Sequence, residues 1–273
     1  MMDLSKNPLA ISSFSLPSIS EKVMDECSNS GIKMLELAFG KICEGADDVC
    51  EIQKRWLGII DAATKKGIDI WSAHLPFGDG YDFSLCDKDA RERALEKQME
   101  MMRFLRENTS VKTVVVHPSS EPVFVESRFM QTEHAKAALG ILADEAQGFG
   151  AQIAVECLPR TCLGNNIDSM AKLVSSDLRL RICFDTNHLL CEKNEDFIKA
   201  FGEKIITLHI SDYNGEDELH LMPYEGKNDW KKIFGLLLKM GYTGPVLFEI
   251  SDKCGYTISQ VGECYKKFCC DIV

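Results

Sequence analysis

Six side chains that can ligate a metal ion or transfer a proton recur at regular intervals along the chain. They are three histidines and three acids: His74, His117, Glu156, Asp185, His209 and Glu249. Each stands at the end of a short apolar run, and each step to the next is about as long as one strand-and-helix unit. Residues so far apart in sequence can form one site only if the fold brings the ends of these runs together.

The apolar runs before these residues are predicted to be buried β-strands. The run Val111 to Val116 (VKTVVV) contains three consecutive valines, which indicates burial on both faces. Another run, Leu178 to Leu190 (LRLRICFDTNHLL), delivers Asp185 and, three residues later, His188. Eight such strands alternate with helical segments, which is the pattern of parallel βα units. Periodicity alone does not separate a closed barrel from an open sheet, but eight units in one domain favour the barrel. We predict an α/β protein with a (β/α)8 TIM barrel, as one domain over residues 1–273.

The predicted barrel would gather most of the histidines of the chain. A parallel barrel places the carboxyl ends of all its strands on one face, where barrel enzymes have their active sites. Five of the six histidines lie near predicted strand ends or in a loop on that face: His74, His117, His188, His209 and His220. The sixth, His134, lies in a predicted helix and is expected to pack there. A structural role is the simpler explanation for any one histidine, but the set, together with three acids, indicates a metal or proton-transfer site.

Composition narrows the classes of partner. The formal net charge is -11, which disfavours attraction to nucleic-acid phosphates and to anionic membrane surfaces. The twelve cysteines include no C-x-x-C pair and are expected to be reduced thiols. The N-terminal residues lack a leader pattern, and no apolar run approaches the roughly 18 residues of a membrane span. We expect a cytoplasmic protein with a small-molecule partner, and its apolar, cysteine-rich C-terminal helix is a candidate homo-oligomer interface.

Five short motifs carry a resemblance to a known family. They are AVE (Ala154 to Glu156), FDTNH (Phe184 to His188), LHISD (Leu208 to Asp212), HLMPYEGKNDW (His220 to Trp230) and FEIS (Phe248 to Ser251). With them, essentially the whole chain resembles the xylose isomerase-like superfamily of TIM barrels, the sugar phosphate isomerase/epimerase family. The resemblance implies one divalent metal ion held by Glu156, Asp185, His209 and Glu249. This mostly oxygen donor set suits Mn²⁺, Mg²⁺, Co²⁺ or Zn²⁺.

The resemblance also implies a reaction on a carbohydrate. A 1,2-hydroxycarbonyl sugar would bind the ion through two oxygens, and the ion would stabilise the enediolate formed when the α-proton leaves. Glu156 and Glu249 are expected to remove and return the proton, a role that rests on the resemblance. His188 and His220 are expected to contact the substrate. The outcome would be isomerisation or epimerisation, and the alternatives on the same site are a keto-cyclitol dehydratase and a binding protein without turnover.

A rival hypothesis comes from a second resemblance, to the zinc-dependent apurinic endonucleases. That related barrel family uses histidines at the positions of His74 and His117 for further zinc ions. Its third zinc site corresponds to His188, Glu218 and His220, with Glu218 in place of the usual Asp. The ligand pattern alone therefore leaves a zinc phosphodiesterase acting on DNA open. The acidic net charge and the lack of Lys/Arg clusters near the strand-end loops favour the sugar enzyme, with His74 and His117 as substrate contacts.

Five further residues carry separate expectations. Glu36 stands at a predicted strand tip, where it would bind substrate hydroxyls or form a salt bridge. Arg160 follows Glu156 closely, and it would meet a substrate phosphate or carboxylate unless it is a solvated loop arginine. Tyr224 replaces a glycine common in the family and is expected to reshape the substrate end of the pocket. Cys157 and Cys183 are expected to turn away from the cavity into the core.

Overall fold

The computed structural model describes residues 3–46 and 48–272, in which strands and helices alternate. The strands are β1 (Leu9–Ser12), β2 (Met34–Leu37), β3 (Asp69–His74), β4 (Thr113–Val116), β5 (Gln152–Glu156), β6 (Arg181–Asp185), β7 (Ile205–His209) and β8 (Val246–Phe248). The α-helices are α1 (Glu21–Asn29), α2 (Val49–Lys65), α3 (Lys88–Asn108), α4 (Val125–Gly148), α5 (Ile167–Val174), α6 (Asn194–Phe201), α7 (Trp230–Lys239) and α8 (Ile258–Asp271).

The eight strands form one parallel sheet that closes into a barrel. Neighbouring strands follow the order β7-β6-β5-β4-β3-β2-β1-β8, and each pair is parallel. A parallel bridge between Ile210 and Phe248 joins the ends of β7 and β8, where the Ile210 N–H donates to the Leu247 carbonyl at 2.8 Å. The predicted (β/α)8 TIM barrel is therefore confirmed, and all strand ends lie on one face.

Strand alternation sorts side chains between the barrel interior and the helix layer. Val115, Ala154 and Cys183 pack together inside the barrel, apart from the main core between sheet and helices. Cys183 shares a strand face with Asp185, two residues on, so the expectation that Cys183 turns away from the site side is wrong. Cys157 lies buried between β5 and β6, where its Sγ accepts a hydrogen bond from the Asp185 N–H at 3.2 Å.

Two element boundaries differ from the sequence-based expectation. The strand expected from Leu178 begins at Arg181, because Asp177 and Arg179 pair across a tight turn and leave Leu178 85% exposed. The sequence from about Phe129 to Phe149 also predicts a helix, and the helix observed there, α4, begins four residues earlier, at Val125. The start of β6 lies at the amino end of the strand, and the start of α4 follows the loop that carries Glu121. Neither difference changes the positions of the strand-end residues.

The fold bears on the expectations about membrane spans, cysteines and the C-terminal helix. No helix in the described part of the chain is long and apolar enough to cross a membrane. None of the twelve cysteines, all of which lie in the described part of the chain, forms a disulfide. The apolar side of α8 is occupied within this chain, since Val261 and Phe268 are fully buried, whereas Cys270 at its end is exposed. Use of this helix as an oligomer interface stays a prediction.

Candidate functional site

The six strand-end residues meet at the carboxyl face of the barrel. Each occupies the last position of a strand or the position after it: His74, His117, Glu156, Asp185, His209 and Glu249. A cavity of about 460 Å³ opens above them. A larger groove of about 780 Å³ runs outside the barrel between α4 and α5 and contains none of the six residues. The convergence expected from the spacing is present at one cavity.

Glu156 is the centre of this cluster. Its Oε2 lies 2.8 Å from His74 Nε2 and 3.1 Å from His117 Nε2, and its Oε1 lies 3.1 Å from His209 Nδ1. Burial by itself would raise the pKa of Glu156, but His209 and His117 lower that pKa well below its usual value. Glu156 is therefore an ionised carboxylate inside the barrel, able to act as a metal ligand or to accept a proton.

Glu156, Asp185, His209 and Glu249 fit a divalent cation. Each offers one ligand atom, and these atoms all lie within 4.8 Å of one another. His209 Nδ1 is 3.1 Å from Glu249 Oε2 and 3.8 Å from Asp185 Oδ2. Asp185 Oδ2 is fully buried and has no hydrogen-bond partner, a situation that costs roughly 1–3 kcal/mol. A cation at this point would both ligate that oxygen and offset the repulsion among three buried carboxylates.

Burial also changes the pKa of Asp185 itself. It raises this pKa to about 6, although the neighbouring imidazoles of His188 and His220 act in the opposite direction. The Asp185 Oδ1 atom accepts a hydrogen bond from the Asn187 N–H at 2.6 Å, which leaves Oδ2 facing the ligand group. The strand tip therefore presents one oxygen that the protein does not satisfy.

Glu36 lies beneath the cavity rather than on its wall, which agrees with the salt-bridge alternative and not with a substrate contact. It is fully buried, and its Oε1 lies 3.0 Å from His209 Nε2. Its Oε2 accepts a hydrogen bond from the Ser72 hydroxyl at 2.7 Å, so both oxygens are occupied. A carboxylate on the far nitrogen of a ligating imidazole orients the ring. Glu36 thus directs His209 Nδ1 towards Glu156 and Glu249.

His188 and His220 stand over the other side of the cluster. His188 Nε2 lies 3.2 Å from Glu218 Oε2, and its Nδ1 lies 2.9 Å from the Cys157 carbonyl oxygen. Burial would lower the pKa of His188, but Asp185 and Glu218 raise it to about 10. His220 has a backbone φ of 47°, a left-handed value that residues other than glycine seldom adopt. His188, Glu218 and His220 also form a group that could hold a cation.

Arg160 lies at the mouth of the cavity, where three carboxylates of the protein surround it. Its Nε donates to Glu121 Oε2 at 2.8 Å, its Nη1 to Asp217 Oδ1 at 2.6 Å and its Nη2 to Glu218 Oε1 at 2.5 Å. The backbone φ of Arg160 is 47°, as at His220. Arg160 is an exposed loop residue, with a side chain that is 37% exposed, and its guanidinium joins three loops of the barrel mouth.

Aromatic rings form part of the cavity wall, and sequence reasoning missed two of them, Phe14 and Phe39. Phe14 and Phe39 line the cavity together with Phe77, whose ring stacks on His117 at a centroid distance of 4.1 Å. Phe14 lies just beyond β1 and Phe39 just beyond β2. The strand-end position that identified the acids and histidines would have identified these rings as well, had apolar side chains been included.

Asp212 organises the long loop between β7 and α7 that carries His220. Its Oδ1 accepts from the Tyr213 and Asn228 N–H groups, each at 3.0 Å. Its Oδ2 accepts from the Tyr224 N–H at 3.0 Å and from the Trp230 indole N–H at 3.1 Å. Four donors on one buried carboxylate hold the two ends of the loop together.

Replacing Asp212 with asparagine is expected to destabilise the fold by about 3 kcal/mol. In either orientation of the amide, its NH₂ group faces two N–H groups that donate to a carboxylate oxygen in the unaltered protein. Chemical denaturation measures the loss. Asp229→Asn is the matched control, because asparagine caps helix α7 about as well as aspartate. A loss below about 1 kcal/mol for Asp212→Asn, with the loop unchanged, would contradict the role assigned to this carboxylate.

Comparison with known proteins identifies the family. The family model described as "Xylose isomerase-like TIM barrel" matches residues 24–263. The chain belongs to the xylose isomerase-like TIM barrel family. This confirms the resemblance carried by the five motifs. Among solved structures of the same fold, "D-tagatose 3-epimerase-like protein" has a TM-score of 0.80 and 22% identity, covering 97% of this chain and 98% of that one. "L-ribulose 3-epimerase" has a TM-score of 0.74 and 18% identity, covering 97% and 94%.

Curated relatives of this xylose isomerase-like barrel carry no assigned activity. "Uncharacterized protein MJ1311" of Methanocaldococcus jannaschii is 27% identical over 195 residues, 64% of this chain and 62% of that protein. "Uncharacterized protein y4fM" of Sinorhizobium fredii is 32% identical over 103 residues, 36% of this chain and 33% of that protein. The matches thus span less than two thirds of the length of these relatives.

One departure from the family pattern has a local explanation. Tyr224, in place of a common glycine, has a φ of 75°, in the left-handed region that glycine adopts freely. Its hydroxyl donates to Asp271 Oδ2 at 2.9 Å, and its ring lies against Phe268 and under the Lys267 ammonium. Tyr224 therefore faces α8 rather than the cavity, and the expectation that it reshapes the substrate end of the pocket is wrong.

Proposed function

We propose that this xylose isomerase-like barrel is a divalent-metal-dependent sugar epimerase or isomerase. The observation that carries the proposal is the arrangement of Glu156 and Glu249 around one imidazole at the cavity floor. An oxygen of each lies 3.1 Å from His209 Nδ1, next to the unpartnered Asp185 oxygen. The similar solved structures, whose names include sugar 3-epimerases, support a carbohydrate substrate.

The proposed chemistry is proton transfer at a carbon next to a carbonyl group. Glu156 and Glu249 come from β5 and β8, which are not neighbours in the barrel, so they reach the substrate from different directions. Burial alone would raise the pKa of Glu249, but His209 lowers it to about 2, so this carboxylate is also ionised. One carboxylate would remove the proton and the other would hold and return it. When bound, a divalent ion would polarise the carbonyl and stabilise charge on the enediolate.

Other residues of the cavity would orient the sugar and exclude water. His188 and His220 would bond its hydroxyl groups from one side, and His117 from the other. The expected substrate contact of His74 is not proposed, because its Nδ1 lies 2.9 Å from the Leu75 carbonyl oxygen and its Nε2 lies 2.8 Å from Glu156. Phe14 and the stacked Phe77 ring would cover its C–H surface and reduce access of water to the reacting carbons. A cytoplasmic location, which we also propose, agrees with twelve cysteines that form no disulfide in the described part of the chain.

Solvent-proton exchange tests this proposal whichever sugar is the substrate. We expect ketoses incubated in D₂O with the Mn²⁺-supplemented protein to gain deuterium at a carbon next to the carbonyl, as followed by NMR. Epimerisation would appear as a second sugar labelled at the same carbon, and isomerisation as an aldose. If no member of a ketose panel gained deuterium with Mn²⁺, Mg²⁺, Co²⁺ or Zn²⁺, the proton-transfer function would be refuted.

A zinc phosphodiesterase is the second candidate, and a specific observation favours it. Besides the four-residue group, His74, His117 and Glu156 form one further group of ligand atoms within 4.8 Å, and His188, Glu218 and His220 form another. Three adjacent groups resemble a trinuclear site. Against this candidate, Arg160 is the single lysine or arginine among the residues lining the cavity in the described chain, whereas DNA phosphates need several cations.

Ion count separates the two candidates. We expect one divalent ion per chain after dialysis against metal-free buffer, measured by elemental analysis of protein loaded with Zn²⁺ and, separately, Mn²⁺. Glu218→Gln would leave that count unchanged, because Glu218 lies outside the four-residue group. Three tightly held zinc ions, reduced in number by Glu218→Gln, together with cleavage of a DNA duplex containing an abasic site, would establish the phosphodiesterase instead.

A further inference from the structure

The cavity mouth carries a charge cluster that the proposed reaction does not explain. Arg160 comes from the loop after β5, and its three partners come from two other loops. Glu121 lies between β4 and α4, while Asp217 and Glu218 lie between β7 and α7. The three donor–acceptor distances, between 2.5 and 2.8 Å, are those of charge-assisted hydrogen bonds. The guanidinium is thus saturated by carboxylates of its own chain.

The cluster has an excess of negative charge. Three carboxylates surround one guanidinium, and even a protonated His188 beside Glu218 leaves the group net negative. The nearby wall adds Asp79, while the described lining contains no lysine and no arginine other than Arg160. An anionic substituent at the mouth would therefore approach carboxylates and find no free basic side chain.

The cluster is also held in place by its surroundings, so it is not a loose surface arrangement. The Glu121 Oε1 atom accepts from the Thr161 N–H at 3.1 Å and from the Thr161 hydroxyl at 3.3 Å. The Asn165 amide donates to the Arg160 carbonyl oxygen at 2.5 Å, which supports the left-handed backbone there. Because these contacts preset the carboxylates, a ligand could recruit Arg160 only by breaking bonds already made.

We propose that the cavity accepts uncharged sugars and discriminates against phosphorylated or carboxylated ones, and that the carboxylate-saturated Arg160 cluster sets this selectivity. The inference rests on the proposed sugar chemistry and deepens it by naming the substrate class. A sugar phosphate would have to displace a carboxylate from Arg160 and leave that carboxylate unpaired beside a second anion, a repulsive arrangement that disfavours the wrong ligand. A neutral sugar meets acceptors for its hydroxyls and the Phe14 and Phe77 rings for its C–H groups.

A matched pair of non-reacting ligands tests this selectivity. D-Glucitol and D-glucitol 6-phosphate differ only in the phosphate and contain no carbonyl group to react. With the full chain in saturating Mn²⁺, calorimetry is expected to give at least about tenfold tighter binding of glucitol, a difference of about 1.4 kcal/mol. Equal or tighter binding of the phosphate by the unaltered protein would overturn the inference, and so would a failure of glucitol to bind.

A double variant tests whether the Arg160 cluster sets this selectivity. Glu121→Gln with Asp217→Asn releases the guanidinium from two carboxylates. We expect the affinity for D-glucitol 6-phosphate relative to that for D-glucitol to rise by about tenfold. Asp61→Asn with Glu92→Gln is the control, since it removes the same charge from exposed positions on α2 and α3. Circular dichroism and thermal unfolding verify that each variant folds. A ratio that moves equally in both double variants would refute the role of the cluster.

The result of the binding test is independent of the result of the deuterium-exchange test. Binding of the two alcohols needs no turnover, so a preference for glucitol stands even where no ketose gains deuterium, and in that case only the reaction is refuted. Conversely, deuterium gain by a ketose phosphate at a higher kcat/KM than by the same free ketose refutes the inference and leaves the epimerase or isomerase in place.

Discussion

Glu156→Gln is expected to lower turnover by about 10³-fold while the barrel remains folded. The substitution keeps the shape of the side chain but removes the charge at the centre of the cluster, where one oxygen lies 3.1 Å from His209 Nδ1 and the other 2.8 Å from His74 Nε2. A carboxamide cannot take up the proton of the substrate, and it is a poorer ligand for a hard cation. The effect should appear in kcat for deuterium exchange or product formation.

Two measurements and a control variant separate the loss of proton transfer from the loss of the metal ion or of the fold. Elemental analysis reports whether the variant still holds its ion, and thermal unfolding reports whether the fold persists. Glu92→Gln, at an exposed position on α3, is the matched substitution and should leave kcat unchanged. Turnover within about threefold of the unaltered protein in Glu156→Gln would remove Glu156 from the proton-transfer step.

Asp185→Asn is expected to change stability in opposite directions without and with metal. In chelator, the variant should be at least as stable as the unaltered protein, because it removes one of the four carboxylates buried around His209 and an oxygen that has no hydrogen-bond partner. With free Mn²⁺ at 100 times its dissociation constant, the unaltered protein should gain about 2.7 kcal/mol. Mn²⁺ should add little stability to the variant, since the variant lacks one of the four ligands.

Denaturant titrations with EDTA and with Mn²⁺ measure the two arms of this prediction. Asp61→Asn on α2 is the control, because its side chain is exposed and pairs with a neighbouring lysine on the same helix. It should follow the unaltered protein in both conditions. If Mn²⁺ stabilised Asp185→Asn as much as the unaltered protein, Asp185 would not be a ligand, and the four-residue assignment would fail.

The strand-end residues illustrate how far sequence reasoning reaches into the site. His74, Glu156, Asp185 and His209 are each predicted at a strand terminus, and each is the last residue of its strand. The prediction succeeds because a buried strand has a local signature, a short apolar run followed by a polar residue. Convergence then follows from the barrel itself, since parallel strands all end on one face.

Side-chain partners are harder to predict. Glu36 lies near the end of a short apolar run, one residue before the last position of β2, and its oxygens bind His209 and Ser72 beneath the cavity. The register shift between β2 and β3 at Leu35 and Glu36 is a pairing irregularity that the apolar run does not reveal. Cys183 differs, because its two-residue offset from Asp185 is visible in the sequence and already implies a shared strand face.

The amino-acid sequence alone determined the alternation of eight strands with helices and the set of groups at the strand ends, because these follow from local periodicity. It favoured a closed barrel over an open sheet, which periodicity alone does not separate. Only the tertiary structure decided what each group contacts. The contacts of Arg160 with Glu121, Asp217 and Glu218 join three loops distant in sequence, and they depend on a left-handed backbone that local propensity opposes. Such contacts arise from packing between loops, which no periodic pattern encodes.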